Sequence, residues 1–160
     1  MTISHGQPLL LLLLVSLFFV PAALGSSRVF RPCNITHPYP VSVRTVDISP
    51  HPVDRSGNSN ITIAGYAGIQ IPDGATVVVN VSAPFLVNPY VSIKTYPICD
   101  ITECRVTVRL FSRFAFTVPN AFIPEELNGL LNIVTLSIKV EQEKIMCVVF
   151  NCVVTGRRST

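Results

Sequence analysis

The strongest constraint on this chain is a pair of alternating runs between Leu130 and Val154, set either side of the polar turn Glu141-Gln142-Glu143-Lys144. On the first arm Leu136, Ile138 and Val140 alternate with Thr135, Ser137, Lys139 and Glu141. On the second, Val148, Phe150, Cys152 and Val154 share one parity, and Cys147, Val149, Asn151 and Val153 the other. A period of two over this length specifies β-strands with one buried face. Both arms therefore turn an apolar row toward one interior, and two cysteines stand on the second arm at opposite parity.

The rest of the chain extends the same pattern. Strands are expected at Val41–Ile48, Asn60–Tyr66, Ala75–Ala83, Val91–Tyr96 and Arg105–Val118, which with the hairpin makes seven. Val41 and Val43 are out of phase with Val46 and Ile48, so a bulge is expected near Arg44-Thr45. Pro50 and Pro52 end that strand, because proline donates nothing to a ladder. Ser26 to Pro40 reads as an irregular lead-in, and Asp54 to Asn58 as a turn. Pro72-Asp73-Gly74 is a turn in which proline presets φ and glycine permits φ > 0. Seven short strands without an amphipathic helix specify an all-β sandwich of antiparallel strands.

The first 25 residues are expected to lie outside this domain. Leu9 to Val20 is an apolar stretch too short for a membrane-spanning helix, which needs roughly 20 residues. Pro8 and Pro21 bracket it, and Ala23-Leu24-Gly25 puts small residues at −3 and −1 of a cut before Ser26. That is the layout of a secretory signal peptide, leaving 26–160 as a single domain that is secreted or held in the endomembrane lumen (extracellular or vacuolar). The sequons at Asn34, Asn60 and Asn80 fit that route. A glycosylated Asn must face water, so Ile61 and Ile63, and likewise Val77, Val79 and Val81, are expected to point inward.

Secretion permits disulfides among the five cysteines. Cys147 and Cys152 face opposite ways on one strand and cannot bridge each other. Cys99 and Cys104 enclose four residues between two strand-like runs and can close a hairpin tip. Cys33 is then left for Cys147 or Cys152, closing a loop worth about 4.7 kcal/mol on chain-entropy grounds.

Composition excludes several function classes. A net charge of +3 is too mild for a nucleic-acid footprint. With 49% hydrophobic and only 13% charged residues, the apolar excess points to an interface, a membrane contact or a cavity. His37 and His51 sit in proline-rich loops away from any nucleophile. The acidic pairs Glu125-Glu126 and Glu141/Glu143 sit in exposed turns, and no His/Cys cluster has zinc spacing. No enzyme activity, metal or cofactor is expected. Arg105, Arg109 and Arg113 share one strand face, read as a charged outer surface or as a basic stripe for anionic headgroups.

Three motifs resemble a known family. Val43-Arg-Thr-Val-Asp-Ile-Ser-Pro-His-Pro-Val53, the Cys99-Asp-Ile-Thr-Glu-Cys104 tip and Cys147-Val-Val-Phe150 resemble the opening, the cysteine hairpin and the last strand of plant ML (lipid-recognition) domain proteins. These include plant phosphatidylglycerol/phosphatidylinositol transfer proteins and are similar to the lysosomal sterol carrier of the Niemann-Pick type C pathway. The resemblance implies an immunoglobulin-like β-sandwich whose sheets splay around one lipid, bridges Cys33–Cys147 and Cys99–Cys104, and no catalytic residues. The chain departs from the family pattern at Cys152, where relatives tend to carry an aromatic, and in Phe114, Phe116, Phe122 and Ile123.

The expected cavity wall is the set of inward rows. It comprises Val46, Ile48, Ile61 and Ile63; Val77, Val79 and Val81; Val91 and Ile93; Val108, Leu110, Phe114 and Phe116; Phe122; and Leu136, Ile138, Val148, Phe150 and Cys152. Its mouth is placed near Phe122–Ile123 and the Cys99–Cys104 tip. Cys147 is expected to staple the domain to Cys33, and Cys152 to be a buried thiol on the wall. The expected function is carriage of a sterol or phospholipid by a monomer, with transient membrane-surface contact. The rivals are a closed-core recognition module that binds a protein partner, and a polysaccharide binder, for which four Tyr and no Trp offer little.

Overall fold

The computed structural model describes residues 26–51, 53, 59–84, 86, 89–102, 112–121 and 131–154. The predicted signal peptide, Cys104, Arg105, Val108, Arg109, Leu110, Phe122 and Ile123 lie outside them.

Among the described residues the alternating runs form the expected strands, with the Arg105–Val118 run described only from Ser112. In chain order these are β1 (Ser26–Ser27), β2 (Phe30–Pro32), β3 (Val41–Ser49), β4 (Asn60–Ala67), β5 (Thr76–Ala83) and β6 (Tyr90–Pro97). A single helical turn, α1 (Ile98–Ile101), precedes β7 (Ser112–Val118), β8 (Leu131–Val140) and β9 (Glu143–Val153). They assemble into two antiparallel sheets, ordered β1-β3-β4-β7 and β2-β9-β8-β5-β6. The strands β1 and β2 occupy the segment expected to be irregular. At two and three residues they are too short to show any period.

The opening hairpin is the best-formed part of the molecule. β8 and β9 pair from Leu131↔Val153 to Val140↔Glu143. Glu141 takes a positive φ of 54° at the turn. Val134, Leu136, Ile138, Val148, Phe150 and Cys152 are all buried. A register shift after Ile138 accommodates Ile145, so Ile145 and Met146 are buried side by side.

The bulge in β3 is also present, between Val43 and Thr45. It consumes Arg44 and restores parity, so Val41 faces the same interior as Val46 and Ile48. The turn before β5 is closed by the Ala75 N–H donating to the Pro72 carbonyl at 2.9 Å. Gly74, however, stays outside the left-handed region, so the turn does not use the freedom glycine offers.

One pair of assignments is overturned. Val91 and Ile93 are 56% and 62% exposed, on the outer face of β6. The ladder decides this: Ile93 stands opposite Asn80 and Lys94 opposite Val79, which puts Lys94, Tyr90 and Tyr96 on the inward parity. Among the described strands β6 is the sheet's edge, where the inner face meets solvent, so the polarity of the alternation is reversed.

Candidate functional site

The inner faces of both sheets converge on one apolar interior. Of the predicted wall, Val46, Ile48, Ile61, Ile63, Val77, Val79, Val81, Phe114, Phe116, Leu136, Ile138, Val148, Phe150 and Cys152 are buried together in a single core. Phe114 and Phe116, two apart on β7, stack with ring centroids 6.0 Å apart. Val91 and Ile93 do not belong to it. Most of these side chains pack against one another, as a sandwich core does.

A hollow lies on the β3–β9 side of the sandwich. There a pocket of about 240 Å³ is lined by Phe30 and Pro32 of β2, Val41 and Val43 of β3, and Met146 and Val148 of β9, with Ile35, Pro38 and Tyr39 of the lead-in over it. Of the predicted wall residues, only Val148 touches it. Sequence reasoning missed the others because the phase slip at Arg44 hid the inward direction of Val41 and Val43. Phe30 and Pro32 stand in a strand too short to show alternation. The slip itself was the available signal.

The lead-in is held in place by the Cys33–Cys147 disulfide, with Cα atoms 5.4 Å apart and 114 residues enclosed. Next to it the Cys33 N–H donates to the Cys147 carbonyl at 3.1 Å. Cys99 is also disulfide-bonded, and its predicted partner Cys104 lies outside the described residues. Cys152 is free and buried. Burial pushes its thiol up to about 11, an effect the Arg28 guanidinium partly opposes.

The predicted mouth residues Phe122, Ile123 and Cys104 lie outside the described residues, but their described neighbours Ala121 and Cys99 stand at opposite ends of the sandwich. Ala121, the nearest described residue before Phe122, donates its N–H to the Ser59 carbonyl at 2.7 Å, beside the start of β4. Cys99 Sγ lies 3.3 Å from the Asp73 carbonyl oxygen, at the turn that leads into β5. Strand β4 begins where β3 ends, whereas β5 begins where β6 ends, so the length of the sandwich separates them.

The outer face of the four-stranded sheet carries a second hollow, an open dish of about 460 Å³ around Arg44, Tyr66 and Arg113. The two guanidinium carbons stand 5.5 and 6.0 Å from the Tyr66 ring centroid, a cation–π arrangement. Arg113 is the described member of the predicted basic stripe, and Arg44 reaches the same ring only because the bulge turns it outward.

Among the sequons, Asn34 and Asn60 are exposed. Asn80 is half-buried, with its Oδ1 below the surface and unpartnered. The Asn34 Oδ1 accepts from the Thr36 N–H at 2.9 Å and from its hydroxyl at 2.7 Å, an Asx turn within the sequon.

The ML domain family matches residues 27–154. The chain is 44% identical over 162 residues to the MD-2-related lipid-recognition protein ROSY1 of Arabidopsis thaliana, covering 99% of this chain and 96% of that protein. It is 38% identical over 107 residues to MD-2-related lipid-recognition protein 3 of the same plant, covering 65% of this chain and 61% of that one. A two-sheet β-sandwich with an apolar gap between its sheets, matched over almost its whole length, makes this chain a member of the ML-domain lipid-recognition family.

Proposed function

We propose that the protein carries one lipid, a sterol or a phospholipid, between its two sheets and performs no covalent chemistry on it. The observation that carries this reading is the apolar gap along β3 and β9. At about 240 Å³ it falls below the roughly 300–1,000 Å³ of ordinary ligand pockets. A lipid tail would therefore widen it, and the flexible Met146 side chain gives way most easily. Each methylene taken from water contributes about 0.8 kcal/mol, so a short apolar slot suffices for affinity.

The Cys33–Cys147 disulfide suits an oxidising compartment and supports a secreted or lumenal location reached through the predicted signal peptide. Arg44 and Arg113, exposed beside Tyr66, support transient contact with an anionic membrane surface during loading, and the carrier acts as a monomer. To test the reading, protein purified from a secretory host is extracted for lipid mass spectrometry and titrated with fluorescent sterol and phospholipid. Co-purified lipid or saturable uptake is expected, and the absence of both would sink the carrier.

A second reading, a closed-core recognition module, is favoured by the near-zero exposure of the inner rows and by Val91, Ile93, Leu131 and Val153 on the outer face. Replacing Val43 by Trp separates the two. A carrier loses lipid uptake because the gap is filled, whereas a module keeps its partner binding.

A further inference from the structure

One enclosed charged group, Arg28, stands two residues before Phe30, which lines the gap. The Arg28 N–H donates to the Val46 carbonyl at 2.7 Å, continuing the ladder in which Ser26 faces Ile48. Arg28 therefore shares the inward parity of Val46 and Ile48. Two residues on, Phe30 pairs with Phe150 in the opposite sheet, so residues 28–29 cross from one sheet to the other and close that side of the sandwich. Phe30 and Pro32 line the gap. Arg28 immediately precedes the crossing that delivers Phe30 to the gap.

The Arg28 Nε and Nη2 lie below the surface with no hydrogen-bond partner. A guanidinium carries five donors, and leaving charged donors unmade away from water is among the costlier defects a fold can hold. What faces them does not neutralise them. Asn132 and Cys152 stand opposite each other on the inner face of β8 and β9, both closed to solvent. The thiol feels the guanidinium but stays protonated at neutral pH, because burial raises its pKa. The neighbouring acid, Asp47, pairs with Thr62 and Ser27 on the outward parity. His51, on which Arg28 also acts, is held below its usual pKa by burial and by that cation. Among the described residues no Asp or Glu occupies the inward rows.

We infer that Arg28 is the headgroup anchor of the lipid site, receiving the carboxylate or phosphate of an anionic amphiphile whose tail lies in the gap beside Phe30. This rests on the carrier reading and narrows its ligand. The guanidinium fork matches two oxygens of either anion at once. A sterol hydroxyl offers a single neutral acceptor, and a choline headgroup brings a cation of its own toward Arg28.

The test uses the secreted protein and four probes: cis-parinaric acid, its methyl ester, and tail-labelled phosphatidylglycerol and phosphatidylcholine, with dehydroergosterol as the neutral reference. Wild type should bind the acid at least tenfold more tightly than the ester, or phosphatidylglycerol at least tenfold more tightly than phosphatidylcholine. The arm that shows the preference identifies carboxylate or phosphate as the anion. Arg28→Met should bring each pair within twofold by weakening the acid and phosphatidylglycerol, and Arg28→Lys should fall between. Equal wild-type affinities within both pairs, or a preference that survives in Arg28→Met, would overturn the anchor while leaving the carrier intact. No saturable binding of any probe would overturn both. The wild-type comparison stands even if Arg28→Met does not fold.

Discussion

Gly65 passes directly beneath the Ser42 carbonyl oxygen, and a β-carbon built on it would collide with that atom and crowd the Val43 backbone. The close approach is made at the β3 bulge, where Val43 pairs with Gly65 and Thr45 with Ala64. Because the obstacle is backbone, it cannot rotate away. Gly65→Ala should cost at least about 2 kcal/mol, in the range of core strain, read as a drop in the urea midpoint at unchanged slope. The same variant should also lose lipid uptake, since the bulge is what turns Val41 and Val43 toward the gap. A neutral Gly65→Ala would mean that the bulge relaxes freely.

The Cys33–Cys147 bridge spans 114 residues and ties the lead-in, with Phe30 and Pro32, onto β9. A Cys33→Ala/Cys147→Ala pair should lose about 4–5 kcal/mol if loop entropy governs, measured by non-reducing denaturation. Most of a small domain's stability is of this size. A loss under about 1 kcal/mol would show that the unfolded chain is already compact.

Exposure separates two isoleucine- and leucine-bearing rows that alternate alike in sequence. Ile93 is 62% exposed and Leu136 fully enclosed. Ile93→Thr should change stability by no more than about 0.5 kcal/mol, while Leu136→Ala should cost about 2–5 kcal/mol. Comparable costs for both would return Ile93 to the interior.

That contrast shows where legibility ended. Strand positions, the bulge and the Cys33–Cys147 pairing follow from period, phase and resemblance, because alternation records which residues share a face. It does not record which face is inside. In β8 and β9 the question never arose, since polar partners such as Lys139 and Asn151 mark the outside. In β6, Tyr90, Ser92, Lys94 and Tyr96 are as periodic as Val91 and Ile93, and only the ladder to β5 decides. The gap was harder still. It is built from Phe30, Val43 and Met146, which come from three strands and meet through two register shifts and one crossing segment. Nothing in the alternation marks Arg28, because the enclosure of its guanidinium depends on the sheet-to-sheet crossing that follows it.

Cys152 supplies a pH dependence with a definite sign. Its thiol is enclosed, and its pKa rises from 9.0 to about 11 on folding. The folded form therefore holds its proton more tightly than the unfolded one. The associated stability is fully present below pH 9 and is lost as pH climbs toward 11, at about 1.4 kcal/mol per unit. Cys152→Ala, which leaves a small cavity but nothing to ionise, should flatten that part of the alkaline limb relative to wild type, as read from urea midpoints at pH 8.5, 9.5 and 10.5. The native thiol should also resist a thiol-specific disulfide reagent at pH 8, where only roughly one part in a thousand is thiolate, and react stoichiometrically once unfolded without reductant. Rapid stoichiometric labelling of the native protein, or identical alkaline limbs for both proteins, would place Cys152 outside the sealed interior.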